Sequence, residues 1–207
     1  QFSGDGRLRD GNTTSTEVRE FLAALPLKTL SEFAQECLSS QFTDSGLALQ
    51  DIINEIGTRL GFKVTPGRYR GVRNEVGFDG LWRSKDEYTL LVEVKTTDAY
   101  RINLDTIANY RASLIDTKQM DDGRSSILII VGRQDTGDLE AQIRGSKHAW
   151  DIRLVSVDAL VRLAAVKEQM NDWATSTQIN QVLRPMEYTR LDHIIELLFA
   201  TSRDAEE

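Results

Sequence analysis

The spacing of hydrophobic residues changes its period along the chain, and each change marks a structural element. Residues 47–64 carry a helical stripe that would form one apolar face. The members of this stripe are Leu49, Ile52, Ile53, Ile56 and Leu60. Gly61 follows directly, in a position where glycine commonly ends a helix. The pattern therefore predicts a helix that buries one face and ends near residue 61.

After this helix the pattern favours three consecutive strands. Phe62 and Val64 alternate with polar residues in the first strand, and apolar residues at 76–81 begin the second. The polar residues 84–87 predict a turn, and residues 88–96 alternate as a third strand. Strands with such short connections pair in the antiparallel sense. We therefore expect a hairpin or a meander.

The second half of the chain alternates helices with strands. Residues 103–120 are spaced as a helix, 125–131 form a continuous apolar run, and 137–149 again favour a helix. A strand at 151–157 leads into a helix at 158–170. Continuous apolar runs are typical of strands covered on both faces, and helical crossovers predict parallel pairing. We expect an α/β fold with a mixed central sheet flanked by helices.

The two ends of the chain differ from this central pattern. Residues 1–16 are rich in small and polar residues, which predicts a disordered tail. Residues 17–45 form an N-terminal helical segment that Pro26 interrupts. We place the core domain at 46–170 and a C-terminal helical extension at 171–207, which would cover the core or form a dimer contact.

Composition and charge narrow the class of protein. A hydrophobic fraction of 40% and a charged fraction of 28% are those of a water-soluble globular domain. The sequence contains neither a signal segment nor a run of about 18 apolar residues, so we expect no membrane span and a cytoplasmic location. The net charge of −7 argues against binding nucleic acid by bulk charge, but not against an enzyme that needs carboxylates.

Cysteine and histidine are too few for two common kinds of site. A single cysteine, Cys37, excludes an intrachain disulfide and a cysteine-type zinc site, and its helical surroundings predict a small buried side chain. Two histidines are too few for a histidine-rich metal site. Trp150, just before the strand at 151–157, is likewise predicted to belong to the core.

The third predicted strand carries charged residues where an apolar strand would not need them. Side chains alternate across a strand, so Glu93 and Lys95 share one face near its C-terminal end. The turn at 84–87 brings Asp79 opposite residue 92 or 93. The carboxylates of Asp79 and Glu93 are therefore expected to approach each other.

Two adjacent carboxylates resist joint ionisation, and a hard divalent cation relieves this repulsion. Lys95 would then orient a water or stabilise charge on a phosphoryl oxygen. The alternative is an ordinary solvated strand face, on which Glu93 and Lys95 pair with each other or with Asp79. The spacing alone leaves both open.

The surrounding order of elements adds a family resemblance. The segments FDG (78–80) and LLVEVK (90–95) resemble the PD-(D/E)XK motif of restriction-endonuclease-like nucleases. The predicted αβββαβ order is similar to the core of that superfamily, and the resemblance covers roughly 47–170. One position departs from the motif, because Phe78 stands where its name has proline.

The resemblance implies a restriction-endonuclease-like core and a metal site. It implies that Asp79 and Glu93 bind Mg²⁺ or Mn²⁺, that the Val94 carbonyl completes the site, and that Lys95 positions the attacking water. A further acidic ligand from the first core helix is frequent in the superfamily. Glu55 is a candidate, with Gln50 at a position where related sequences often carry glutamate, but Glu55 would equally pair with Arg59.

Basic residues next to these elements suggest where nucleic acid would bind. Arg68, Arg70 and Arg73 lie in a glycine-containing loop, and Tyr69 between them would stack on a base. A second cluster before the strand at 151–157 contains Lys147. Alternatively, the loop contacts nothing and the Lys147 cluster only caps a helix.

These patterns lead to one hypothesis and two alternatives. We expect a metal-dependent endonuclease that hydrolyses phosphodiester bonds, with DNA as the expected substrate and a restriction or defence role. One alternative is a non-catalytic module that binds nucleic acid or protein on the same fold. The other is a regulated effector nuclease separated from its sensor domain, since the sequence begins at Gln1. RNA as substrate and a homodimer stay open.

Overall fold

The computed structural model describes residues 6–40, 42–70, 76–96, 102–132, 136–170, 173–184, 190–192 and 195. The helices are α1 (Thr13–Ala24), α2 (Leu27–Ser39), α3 (Ser45–Arg59), α4 (Leu104–Asp116), α5 (Gly137–Arg144), α6 (Val157–Met170) and α7 (Trp173–Val182). The strands are β1 (Lys63–Pro66), β2 (Gly80–Arg83), β3 (Thr89–Lys95), β4 (Ser125–Val131) and β5 (Ile152–Ser156). A single 3-10 turn, Asp122–Arg124, precedes β4. From α3 to α6 the order of elements is the one the sequence predicts.

The five strands form one sheet in the order β1-β2-β3-β4-β5. The pairs β1–β2 and β2–β3 are antiparallel, whereas β3–β4 and β4–β5 are parallel. A short connection, residues 84–88, joins β2 to β3, and the crossover helices α4 and α5 join the parallel strands. The α/β architecture with a mixed, helix-flanked sheet is confirmed.

Helices cover both faces of the sheet, and β3 contributes to both layers. Leu90 and Val92 belong to a core shared with α1, α2, α3 and α6. Leu91 points to the opposite core, which contains residues of α4, α5 and β4. Every residue of β4 is buried, as its continuous apolar run predicts. The alternation predicted for the third strand is therefore the one observed.

Helix α3 packs closely against β2, and this packing positions the residues next to Asp79. The Trp82 ring of β2 is fully buried and lies 5.5 Å from the Phe62 ring, measured between centroids. A Cβ at Gly57 of α3 would lie 2.5 Å from this indole, so only glycine fits there. The absence of a side chain at Gly57 lets helix and strand approach each other.

The second strand begins later than its apolar pattern suggests. We predicted a strand from residue 76, but β2 begins at Gly80, opposite Pro66 of β1. The amide of Asp79 donates to the oxygen of Val92, the residue already paired with Gly80, so the ladder to β3 is irregular at this residue. The main-chain oxygen of Asp79 accepts a hydrogen bond from the amide of Gly67. Residues 76–79 thus approach the sheet without belonging to a strand.

The N-terminal residues that the structure describes are more ordered than the predicted tail. Helix α1 begins at Thr13, and the side chain of Asn12 caps it by accepting a hydrogen bond from the Ser15 amide at 2.9 Å. Leu8 is buried, and Asp10 accepts a hydrogen bond from the amide of Tyr69 at 3.0 Å. The predicted tail also includes residues 1–5, which lie outside the described residues.

Two predictions about single apolar residues have opposite outcomes. Cys37 is buried with a free thiol, as predicted. The prediction that Trp150 belongs to the core is wrong, because its side chain is 74% exposed. It lies in a turn closed by a hydrogen bond from the Asp151 amide to the His148 oxygen, before the alternation of β5 begins.

No described helix is both long enough and apolar enough to cross a membrane.

Candidate active site

The charged residues of β3 lie at its C-terminal end, where the strand is no longer fully buried. The first four residues of this strand are buried, and the last three, Glu93, Val94 and Lys95, are half-buried. The exposed fraction is 13% for the Glu93 side chain and 31% for that of Lys95. Both charged side chains are therefore shielded in part, yet a small ligand can reach them.

Asp79 lies beside this end of β3, as the predicted turn requires. Gly80 pairs with Val92 in the β2–β3 register, and the amide of Asp79 donates to the Val92 oxygen at 3.1 Å. The Asp79 carboxylate accepts a hydrogen bond from the amide of Val94, with an Oδ2–N distance of 2.6 Å. The structure thus brings Asp79 to the segment that contains Glu93 and Lys95.

Glu93 and Lys95 form an ion pair on one face of the strand. The Lys95 Nζ lies 2.5 Å from Glu93 Oε1. A catalytic site and an ordinary solvated strand face both allow this contact. The ion pair therefore does not distinguish the two predictions. The charge of Glu93 is therefore compensated within the chain by one cation.

The environment of the Asp79 carboxylate disfavours its ionised form. Burial and the nearby charge of Glu93 raise the pKa of Asp79 from 3.8 to about 6. The amide of Val94 and the charge of Lys95 oppose this rise but do not cancel it. A cation between the two carboxylates would favour the ionised form of Asp79. The electrostatics of this pair thus match those of a cation site.

The main chain of Asp79 is held by side chains of α3. Its carbonyl oxygen accepts hydrogen bonds from Gln50 Nε2 at 3.1 Å and Asn54 Nδ2 at 2.8 Å. The Oδ1 of Asn54 in turn accepts from Trp82 Nε1 at 2.9 Å. Asn54 is not among the residues that the sequence predicts for the site. The available signal was two amide residues, Gln50 and Asn54, four positions apart on the helix that carries the apolar stripe.

The two candidates for a further metal ligand have other partners. Glu55 forms an ion pair with Arg59, whose Nε lies 2.9 Å from Glu55 Oε1. Gln50 donates its amide to the main chain of Asp79. Among the described residues, no group of three or more His, Cys, Asp or Glu side chains is placed to hold a metal ion.

Two carboxylates nevertheless suffice for some hard cations. Mg²⁺ is commonly held by one or two carboxylates and keeps several waters. Asp79 and Glu93 supply these carboxylates, and the Val94 carbonyl is a further oxygen next to them in β3. The donor set is oxygen only, which suits Mg²⁺ or Mn²⁺ better than a soft metal. The residues present therefore fit the metal that the motif implies.

The basic loop after β1 has exposed cations around a buried tyrosine. Arg68 and Arg70 are both exposed, and Arg73 lies outside the described residues. The prediction that Tyr69 stacks on a base is wrong, because its side chain is only 7% exposed. Its hydroxyl donates to the Asp51 carboxylate, and Arg19 lies over its ring, 5.1 Å from the centroid.

Lys147 lies next to the start of α4. Its Nζ is 3.1 Å from Asp105 Oδ1, and His148 Nε2 is 2.9 Å from the same oxygen. Asp105 belongs to the first turn of α4. The contact observed for Lys147 is an ion pair with Asp105, which is neither a phosphate contact nor a helix cap. Its side chain is still 75% exposed and remains accessible to solvent.

Comparison with known proteins adds no family assignment. No protein-family model matches the chain. A comparison with curated proteins gave no match either. Any function must therefore be argued from the arrangement at the end of β3.

Proposed function

We propose that this chain is a divalent-metal-dependent endonuclease with a restriction-endonuclease-like core. The observation that carries the proposal is the approach of Asp79 to Glu93 at the end of β3, where burial and the charge of Glu93 together raise the pKa of Asp79 to about 6. The order of elements around it, α3-β1-β2-β3-α4-β4, is compatible with the αβββαβ core. Lys95 supplies the third member of the motif.

Asp79, Glu93 and the Val94 carbonyl would hold Mg²⁺ or Mn²⁺. When bound there, the ion would supply charge stabilisation for a phosphoryl oxygen and a more acidic water. Asp79 is prepared for this role because Val94 orients its carboxylate by a 2.6 Å hydrogen bond. Phosphoryl transfer depends mainly on such positioning and on electrostatic stabilisation.

Lys95 would act as the positioning cation. In the structure its ammonium group lies against Glu93, at the same end of the strand as Asp79. An ammonium group has three donors, so Lys95 can keep one for Glu93 and offer another to a water or a phosphate oxygen. It thereby orients the nucleophile and offsets negative charge near the phosphorus.

The basic loop supports nucleic acid as the substrate. Gly67 donates its amide to the Asp79 oxygen at 2.9 Å, and Arg68 follows it directly. The exposed Arg68 and Arg70 therefore follow closely in the chain on a residue that is hydrogen-bonded to the proposed site. Arginines contact phosphate oxygens without reading sequence. DNA is our proposed substrate, with restriction or defence as the role.

A nuclease assay with matched variants tests this proposal. Purified protein is incubated with Mg²⁺ or Mn²⁺ and single- or double-stranded DNA or RNA. Asp79→Asn, Glu93→Gln and Lys95→Ala should each slow cleavage by at least about a thousandfold, equivalent to about 4 kcal/mol of transition-state stabilisation. Glu55→Gln, which alters a carboxylate paired with Arg59, should retain activity. Cleavage by Glu93→Gln at the unsubstituted rate would exclude the proposed chemistry.

A non-catalytic module on the same fold is the second candidate. The observation favouring it is the 2.5 Å contact between Lys95 and Glu93, which neutralises Glu93 without a metal ion. Calorimetric titration separates the two candidates. Binding of Mn²⁺ that is lost in Asp79→Asn supports the nuclease, whereas no binding at millimolar concentration, even with DNA present, supports the module.

A further inference from the structure

The carbonyl oxygen of Asp79 accepts three hydrogen bonds. The donors are Gly67 N at 2.9 Å, Gln50 Nε2 at 3.1 Å and Asn54 Nδ2 at 2.8 Å. A carbonyl oxygen has two lone pairs, so this acceptor is fully used. Such a concentration of donors on one main-chain oxygen restrains the backbone at this residue.

The two amide side chains are buried, and the orientation of Asn54 is fixed by a third residue. Gln50 is 3% and Asn54 5% exposed. The indole nitrogen of Trp82 can only donate, so the atom of Asn54 that it contacts must be the oxygen. The NH₂ group of Asn54 therefore faces Asp79. A buried donor or acceptor left without a partner is costly, which favours this arrangement over alternatives.

The strand approaches the helix too closely for any residue but glycine at position 80. A Cβ there would collide with Asn54 Oδ1. Gly80 follows Asp79 directly, so the space for the amide of Asn54 exists only because this residue has no side chain. The glycine at position 80 therefore allows the close packing of β2 against α3 that brings Asn54 to the Asp79 carbonyl.

We propose that Gln50 and Asn54 are positioning residues that hold Asp79 for metal binding, and that Gln50 is not itself a metal ligand. This inference rests on the proposed function. The amide of Asp79 is bound to Val92 and its carbonyl to α3, so its main chain is held from both sides. Its carboxylate is thereby directed at the Val94 amide, beside Glu93. Partners that orient a metal ligand typically change metal affinity about 10–100-fold when replaced.

The first measurement needs no metal. The amide of Val94 donates to the Asp79 carboxylate, so its hydrogen exchange reports where that carboxylate lies. In Gln50→Met, which keeps the size but removes the donor, the Val94 amide should exchange about tenfold faster relative to the amide of Ile129 in β4. Asn54→Ala should have the same effect and replaces Gln50→Met if that variant does not fold.

The second measurement is Mn²⁺ affinity by calorimetry. We expect binding about 10–100-fold weaker in Gln50→Met, with Glu55→Gln unchanged as the matched control from the same helix. A role in general stability would accelerate exchange at Val94 and Ile129 together and would overturn the proposal. Weaker Mn²⁺ binding with unchanged Val94 exchange would also overturn it, because Gln50 would then act as a ligand.

The two proposals fail in different ways. If the unsubstituted protein binds no Mn²⁺, the proposed nuclease function fails. The exchange of Val94 in metal-free Gln50→Met still decides whether α3 positions Asp79. Faster exchange at Val94 alone supports positioning, and unchanged exchange at Val94 rejects it.

Discussion

Asp51 is buried and Asp79 is half-buried, and both carboxylates have raised pKa values, but their partners differ. Burial raises the pKa of each. Asp51 accepts a hydrogen bond from the Tyr69 hydroxyl and pairs with Arg19, whose Nε lies 2.9 Å away. Asp79 accepts one main-chain hydrogen bond and experiences the charge of Glu93. Asp51 thus has a cation and a hydroxyl donor as partners, whereas Asp79 faces a second carboxylate whose effect Lys95 offsets only in part.

This difference distinguishes a structural carboxylate from a functional candidate. Arg19 and Tyr69 belong to α1 and to the loop after β1, so Asp51 connects three parts of the fold. Among the described residues, the hydrogen-bond partner of the Asp79 carboxylate is the Val94 amide, and burial and the charge of Glu93 disfavour its ionised form. Strongly perturbed carboxylates in accessible positions are common at active sites. We therefore expect substitutions at Asp51 and Asp79 to affect stability in opposite directions.

The largest expected effect is a gain of stability in Asp79→Asn without metal. The pKa of Asp79 in the fold, about 6, lies above its ordinary value of 3.8, so its stabilising contribution is complete below about pH 4 and is lost as the pH rises through 6. At pH 7.5 the substitution should raise the free energy of unfolding by up to about 3 kcal/mol. Urea denaturation of both proteins between pH 4 and pH 7.5 measures the difference.

The metal should reverse this result. Ligands that bind only the folded state stabilise it, so saturating Mn²⁺ should stabilise the unsubstituted protein and leave Asp79→Asn unchanged. A difference between the two proteins that is constant with pH would show that Asp79 ionises normally. The contrast with Asp51 would then disappear.

A smaller effect of opposite sign is expected for Asp51→Asn. This substitution keeps the size of the side chain but removes the charge that Arg19 and Tyr69 share. Asparagine offers Arg19 and Tyr69 one acceptor oxygen instead of two, and the donor left without an acceptor should lower the free energy of unfolding by about 2 kcal/mol. Mn²⁺ affinity should change less than about twofold, because Asp51 contacts none of the proposed ligands. A large loss of Mn²⁺ binding would place Asp51 in the site.

Local periodicity was sufficient to predict β3 and its charged end. The alternation of residues 88–96 gave the correct faces, and the turn at 84–87 gave the approach of Asp79 to Glu93. The order of strands and helices followed from the same signal. These features depend on neighbours within a hairpin or on one period, so the sequence contains them directly.

Contacts between distant residues could not be predicted in this way. Gln50 and Asp79 are 29 positions apart, and Tyr69 and Asp51 are 18 apart. Their pairing depends on the packing of α3 against β1 and β2, which no local period specifies. The error at Trp150 has a different origin, because the alternation of β5 was extended into a turn that faces solvent.

The smallest expected effect is that of Tyr69→Phe. This substitution separates the contribution of the Tyr69 hydroxyl to Asp51 from that of Arg19. Phenylalanine keeps the ring beneath Arg19 and removes only the hydroxyl that donates to Asp51. We expect a loss of about 1 kcal/mol in the free energy of unfolding, measured by urea denaturation, because Asp51 retains Arg19 as a partner. A loss as large as that of Asp51→Asn would mean that the hydroxyl, rather than the cation, compensates Asp51. The contrast with Asp79 would then rest on hydrogen bonding instead of charge.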